Sequence, residues 1–417
     1  MRWDLWMGAL RERNFRLYFI GQLTSAVGTG MTSVALAFAV LASDRSATAL
    51  GVVLAADAVS LAGFLLIGGV IADRLGRRRV MLTADMLRGV AQAILGVWVL
   101  AGHPPLWGFV VLAAVVGAGT AFFMPALTGL IPEVVTPDRL SQANALNGLS
   151  NSIGSIGGPA LAGILVAAAS PGWAIIADAI SYGASVASLG LLRLAPAGPR
   201  STETFLSQLR AGWGEFWSRT WLWVIVVQWS LGNAIILGPF FVLGAVVADK
   251  YLGGSTAWGT ILAAQGAGAV AGGVLMLRLH VQRPLLVATL TALVFPLPLL
   301  ALAYHGPVAV IAAGSFGMGF AMAVFTVLWN TTMQREIPSD LLSRVSSYDW
   351  FGSLVFLPIG FALAGPIAAA VGIRAAFMGA SVWCVASTLV VLAVPAVYKL
   401  RTAPTKPADG TEPTAVA

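Results

Sequence analysis

The sequence predicts an all-α integral membrane protein: twelve transmembrane helices in two six-helix bundles related as a parallel repeat. Three observations predict it. The 417 residues are 58% hydrophobic and 10% charged, more apolar surface than a water-soluble domain has interior to hide. The apolar residues gather into twelve runs, each close to the roughly 20 residues a helix needs to cross the hydrocarbon core. The second half of the chain then echoes the first.

The runs are 17–41, 47–72, 80–101, 106–131, 145–169, 172–194, 221–247, 256–279, 284–304, 307–329, 349–371 and 374–398. They divide the chain into a basic, amphipathic lead (1–16), a first bundle (17–194), a link (195–220), a second bundle (221–398) and a Pro-, Thr- and Ala-rich tail (399–417) that reads as disordered. In the link, Phe205, Leu209, Trp213, Phe216 and Trp217 recur at helical spacing and predict an amphipathic helix on the membrane surface. The formal charge is +7, but its distribution excludes nucleic acid as the partner. Apart from Arg45, Lys250, Arg374 and the intramembrane Arg88, every Lys and Arg falls on one side of the twelve-span arrangement. That asymmetry predicts a multi-pass protein of the cell membrane with both termini cytoplasmic, its basic segments facing anionic headgroups. Cys384 is the one cysteine, so no internal disulfide forms. No signal peptide is expected, because the first apolar run is long and leads into further spans.

Along the chain, Trp3 and Trp6 suit a membrane interface, and span one carries Gln22 among apolar residues. Span two holds Asp57 near mid-membrane with no local partner. A lone carboxylate in lipid is costly, so it either couples to a proton or substrate or accepts a structural hydrogen bond. Span two ends in Gly68-Gly69-Val70-Ile71-Ala72-Asp73-Arg74-Leu75-Gly76-Arg77-Arg78-Arg79, a tight basic turn in which Gly76 allows positive φ. Span three opens with Asp85 and Arg88 on one face, which predicts a mutual ion pair near the inner interface. Glu133, after span four, is a partner for Arg74 or Arg77. Span five carries Gly154, Gly158, Pro159 and Gly163, a small-residue face that is either a packing stripe or a conformational element. In span six, Asp178 and Tyr182 share a face; Asp178 is either a proton site or a hydrogen-bond acceptor, and Tyr182 a candidate cavity residue. Gln228, Trp229 and Asn233 in span seven suit either a cavity for an amphipathic molecule or helix packing, with Gln265 in span eight a weaker candidate. Asp349, at the start of span eleven, suits a helix N-terminus.

The echo between halves is specific. Gly68, Gly69, Val70, Arg74, Leu75 and Arg79 match Gly272, Gly273, Val274, Arg278, Leu279 and Arg283. Gly117 and Gly119 match Gly317 and Gly319, Asp138-x-Leu140-Ser141 matches Asp340-x-Leu342-Ser343, and Gly158-Pro159 matches Gly365-Pro366, in order and at offsets of 200 to 207. A parallel duplication of a six-helix unit accounts for all of them.

The spacing G-x-x-x-D-R-x-G-R-R over Gly69, Asp73, Arg74, Gly76, Arg77 and Arg78 resembles the signature loop between helices two and three of the major facilitator superfamily of transporters. The stretch from Pro125 to Leu146 resembles that superfamily's branch of enterobactin exporters and macrolide efflux proteins. The glycine and proline spacing of span five resembles the superfamily's antiporter motif. The resemblance spans residues 8–398. It implies two bundles rocking about a central cavity, with the basic loop as a cytoplasmic gate. Asp73 would meet the N-terminal end of span eleven in the outward-open state, near Asp349, and Arg77 an acid on span four, Glu133. The implied function is proton-coupled export of an amphipathic organic compound such as a drug, macrolide or siderophore. A proton gradient supplies the energy without a cofactor, and Asp57 or Asp178 carries the proton. An importer or facilitator of one small molecule is the alternative. One departure stands out: many drug–proton antiporters of this superfamily carry an arginine within span four, and this chain has none there.

No H-E-x-x-H, G-x-S-x-G or phosphate-binding loop occurs, and His103, His280 and His305 lie near loops. Neither an enzyme nor a metal site is expected, and no stretch points to an obligate protein partner.

Overall fold

The computed structural model describes residues 8–44, 46–102, 104–193, 213–279 and 281–401. Among them, twelve helices are long and apolar enough to cross a bilayer. They are α1 (Arg13–Asp44), α2 (Ala47–Leu75), α3 (Arg77–Ala101), α4 (Leu106–Val134), α5 (Leu140–Ala168) and α6 (Pro171–Gly190) in the first half. The second half has α7 (Thr220–Tyr251), α8 (Ser255–Met276), α9 (Pro284–Ala303), α10 (Val308–Glu336), α11 (Ser339–Leu354 resuming as Leu357–Val371) and α12 (Ile373–Leu392). Most of the link and tail lie outside the described residues; of the link helix only 213–218 is described, and it is helical.

Three helices depart from regularity where a proline withholds its amide. In α7 a π-helical turn, Asn233–Leu237, precedes Pro239. In α9 a 3-10 turn, Ala292–Val294, precedes Pro296. Pro296 cannot donate to the Ala292 carbonyl, which accepts from Phe295 N at 3.0 Å and from Cys384 Sγ at 3.3 Å. In α11 the break precedes Pro358. Asp349 lies well inside the first part of α11, which begins at Ser339. The expectation that Asp349 stands at a helix N-terminus is therefore corrected: the apolar run marks where lipid begins, and the helix starts earlier in polar sequence. Gly76 separates α2 from α3 at φ 92°, the left-handed geometry its lack of Cβ permits.

The duplication is visible in the packing. Each half seats its second helix on its fourth through a glycine, Gly68 against the Ala121 carbonyl and Gly272 against the Phe320 carbonyl, one helical turn apart in register; a Cβ on either glycine would lie 2.5 Å from that oxygen. Across the two halves, Gly259 of α8 lies against the Pro159 carbonyl of α5, and Gly51 of α2 against the Phe361 carbonyl of α11. Gly163 meets Ser255 as Gly365 meets Thr48. The symmetry thus equates Pro159 with Phe361 and Gly163 with Gly365. The sequence match of Gly158-Pro159 with Gly365-Pro366 is out of register, because it follows a shared dipeptide rather than a shared contact.

Among the described residues, the two halves share an apolar core at one end only. Call the end bearing the Arg77–Arg79 turn the basic face. At the opposite face, one apolar core runs through both halves, from Val34 and Leu50 to Phe240, Trp258 and Phe361. At the basic face there are two separate cores, one around Phe15, Met81 and Leu130, the other around Leu222, Leu285 and Val345. One stripe of α1 shows the change: Ile20 and Thr24 are exposed, whereas Met31 and Phe38, further along the stripe, are buried. The seam between α5 and α8 carries polar links. Ser255 Oγ and Thr256 Oγ1 both donate to the Gly163 carbonyl, at 3.1 and 3.3 Å. Lower down, the Ser155 carbonyl, which Pro159 cannot engage, lies against Gly266. Among the described residues, the molecule is therefore sealed at the opposite face and cleft toward the basic face.

Candidate functional site

The first half encloses a polar cluster built by two helical stripes. On α3, Asp85, Arg88 and Gln92 recur at spacings of three and four; on α6, Asp178, Ser181, Tyr182 and Ser185 do the same. Asp85, Arg88, Gln92, Asp178, Ser181, Tyr182 and Ser185 are all buried. Arg88 Nη2 donates to Asp85 Oδ1, and Ser185 Oγ donates to Asp85 Oδ2 at 2.6 Å. The Arg88 guanidinium stands 4.5 Å from the Tyr182 ring centre and 4.4 Å from that of Phe123 on α4. Asp178 accepts from Thr32 Oγ1 of α1 at 2.6 Å, from Gln92 Nε2 at 2.9 Å and from Ser181 Oγ at 3.2 Å. The Tyr182 hydroxyl meets Thr29 Oγ1 of α1 at 3.1 Å. Small residues make the room: a Cβ on Gly28 would lie 2.7 Å from Asp178 Oδ1, and one on Gly119 2.6 Å from Arg88 Cγ.

The Asp85–Arg88 ion pair expected from the sequence is present and buried inside the bundle. One expectation is corrected. Tyr182, 1% exposed, belongs to the cluster and does not line an open cavity. Sequence reasoning missed Thr32, Gln92, Ser181 and Ser185. The stripes of α3 and α6 carried the signal, but only packing brings them onto one another and onto α1. Thr29 is the exposed member. It shares a face of α1 with Phe15, Tyr18 and Gln22, and Phe15 and Tyr18 pack into the core of the first half. Its exposed surface thus opens within the bundle.

Asp57 is half-buried and has neither a hydrogen-bond nor an ion-pair partner among the described residues. Its backbone carbonyl abuts Gly117 of α4, as that of Gln265 abuts Gly319 of α10. Asp57 and Gln265 are therefore equivalent positions in the two halves, a correspondence the sequence offsets conceal.

The basic turn braces its own half. Arg77 Nη1 donates to the Gly129 carbonyl at 2.6 Å and to Glu133 Oε1 at 2.8 Å, so Arg77 rather than Arg74 is the partner of Glu133. Arg78 caps the C-terminus of α6, with Nε donating to Leu189 O at 2.8 Å and Nη2 to Gly190 O at 2.5 Å. Arg74 is exposed. Gly69 lies within α2, and the Asp73 side chain lies outside what the structure describes. Asp349, half-buried, accepts from Trp329 Nε1 at 3.0 Å within the second half. The Arg77–Glu133 side chains are 35% and 40% exposed, so Glu133→Gln is expected to cost only about 0.2–1 kcal/mol, read as a small fall in melting temperature.

In the second half, Gln228, Trp229 and Asn233 surround a cavity of about 30 Å³ between α7, α9 and α12, shared with Cys384, Ser387 and Thr388. Gln228 Nε2 donates to Thr388 Oγ1 at 3.3 Å, Asn233 Nδ2 to the Ser353 carbonyl at 2.6 Å, and the Trp229 ring packs 4.1 Å from that of Phe325. These contacts pack α7 against its neighbours; Asn233, with Ser230 on Gly352, secures the carbonyls beside the break in α11. Gln22 is half-buried in the face of α1 it shares with Thr29. The glycines of span five divide their work: Gly154 and Gly158 receive α1 at Ala26, Val27 and Gly30, while Pro159 and Gly163 receive α8.

Comparisons with known proteins agree with this architecture. The sequence profile of the Major Facilitator Superfamily matches residues 18–355. The multidrug efflux pump Tap of Mycolicibacterium fortuitum is 27% identical over 378 residues, covering 88% of this chain and 91% of that protein. The enterobactin exporter EntS of Escherichia coli O81 (strain ED1a) is 26% identical over 372 residues, 85% of each. Among solved structures, the nucleoside transporter NupG (D323A mutant) superimposes with a TM-score of 0.74 at 10% identity, over 91% of this chain and 99% of that one. A bacterial homologue of the human lysosomal transporter Spinster, inward-facing and unoccupied, does so at 0.70 and 14% identity, over 97% of this chain and all of that one (100%).

Proposed function

Because the chain belongs to the Major Facilitator Superfamily, we propose that it is a proton-coupled exporter of amphipathic organic compounds such as drugs, macrolides or siderophores. The observation that carries this reading is the acid buried in the first half beside a guanidinium that already has a carboxylate partner. A buried intramembrane carboxyl is costly unless it serves a function, and Asp178 is the coupling acid on this reading. Both efflux relatives support the direction of transport. The concentration of Lys and Arg at the basic face makes that face cytoplasmic, with both termini there. The cleft then opens to the cytoplasm, where an exporter loads. Binding drives export by favouring one of two states through differential contacts, and the proton gradient supplies the energy.

Everted membrane vesicles acidified inside by respiration test the proposal. A panel of dyes, macrolides and siderophores is added while proton release is followed by fluorescence dequenching. The expected result is dequenching with at least one compound, both in the parent and in Asp57→Asn. Loss in Asp57→Asn moves the coupling acid to Asp57. Silence across the panel, with the protein shown to be folded, replaces antiport by a facilitator or importer of one small molecule.

A further inference from the structure

We propose that Arg88 is the shared counter-ion of a one-proton switch: it holds Asp85 while Asp178 is protonated and accepts Asp178 with its free edge when the proton leaves. The inference rests on the reading of Asp178 as the coupling acid. It starts from charge. The cluster has two carboxyls and one guanidinium, so its neutral form contains one proton. Arg88 engages Asp85 through Nη2, while its Nε is buried without a hydrogen-bond partner. An orphaned buried N–H is costly and rare, and an ionised carboxylate is its strongest acceptor.

Among the described residues, no other charged group competes. From α1, Asp178 faces Thr32; from α3 it faces Gln92, with Arg88 beyond; on its own helix it has Ser181 and Tyr182. From α4, Phe123 flanks Arg88 and brings no charge. The site exchanges a proton alone: Asp178 O–H dissociates, the proton leaves, and the new carboxylate takes the Nε–H of Arg88. Thr32, hydrogen-bonded to Asp178, sits on α1, the helix whose stripe passes from the cleft into the seal. The switch also accounts for the missing arginine of span four. Arg88 reaches the same bundle interior from α3 and lies directly against Gly119 of α4.

The test is infrared spectroscopy of the full chain in lipid vesicles, reading the C=O band of protonated carboxyls at neutral pH beside drug-stimulated proton flux and melting temperature. The parent is expected to show a band that Asp178→Asn removes; if no such band exists, the underlying reading of Asp178 fails. Asp85→Asn leaves Arg88 only Asp178 to pair with, so the Asp178 band and the flux should both vanish while the melting temperature is largely kept. Persistence of the band in Asp85→Asn, or a collapse of stability, overturns the shared counter-ion, because Arg88 and Asp85 are then a fixed pair. Adding Arg88→Gln to Asp85→Asn should restore the band without the flux. Arg88→Gln alone should retain the band and lose the flux, with part of the flux recovered in Arg88→Lys. Normal flux in Arg88→Gln overturns the proposal independently.

Discussion

Asp178→Asn is expected to reduce drug-stimulated proton release to background while leaving the transporter folded and able to bind its substrate. Asparagine has nearly the shape of aspartate, so Gly28 still accommodates it. Its hydrogen bonding changes in one respect. The Asp178 carboxyl group is hydrogen-bonded to Thr32, Gln92 and Ser181, and the new amide brings two donors where the protonated carboxyl brings one. The Thr32 hydroxyl can turn to accept, whereas the Gln92 amide loses its acceptor or flips. A loss of about 1–3 kcal/mol of stability follows, tolerable in a protein of this size, whereas the proton-binding group is gone entirely. Vesicle dequenching measures the flux, and substrate-induced quenching of tryptophan fluorescence in detergent measures binding. Loss of flux with retained binding is the expected pair of results. Retention of both removes Asp178 from the coupling reaction.

The second large effect belongs to the seam. Gly259→Leu is expected to shift the population away from the cleft-open state by about 10–100-fold. A Cβ at this position would meet the Pro159 carbonyl and stand 3.0 Å from Gly163 Cα, both backbone atoms of α5 that cannot turn aside. Overpacking of this kind costs roughly 1–3 kcal/mol, and each 1.4 kcal/mol is about tenfold in population. The cost falls only on the state in which α5 and α8 touch. Spin labels at Ala169 and Leu252, in a chain whose Cys384 is replaced by serine, report the separation across this seam. A longer distance in Gly259→Leu is expected. Gly273→Leu on the same helix is the control, since no atom lies within 4 Å of its Cβ position, and it should leave the distance unchanged. Equal distances in both variants would mean that the seam yields without opening.

Much of this architecture was legible because lipid imposes it. A helix in hydrocarbon must be apolar, satisfied along its backbone and about 20 residues long, so twelve apolar runs specify twelve spans. Polar sequence is less constrained, and the same rule fails there: α11 begins at Ser339, in residues whose composition resembles a loop. The basic turn was legible for a local reason. Gly76 needs positive φ, and Arg77 reaches Glu133 from the neighbouring helix end. Arg78 on the last carbonyls of α6 was not legible, since a backbone acceptor leaves no mark in the sequence.

Sequence alone determined the number of spans, the duplication, the basic face and the identity of the intramembrane acids, because each depends on the solvent around a segment or on residues close in the chain. Tertiary structure decided which acids meet. Asp85 and Asp178 lie on helices whose polar stripes are separately visible, yet their gathering into one cluster around Arg88, Gln92 and Ser185 depends on how α3 packs against α6. It also decided that Gln228, Trp229 and Asn233 join helix contacts, that Pro159 corresponds to Phe361, and that among the described residues the halves share a core at one face and have separate cores at the other. Each is a matter of which surfaces touch. Close packing sets those contacts to within a methyl group, and a single helix's periodicity carries no record of its partner.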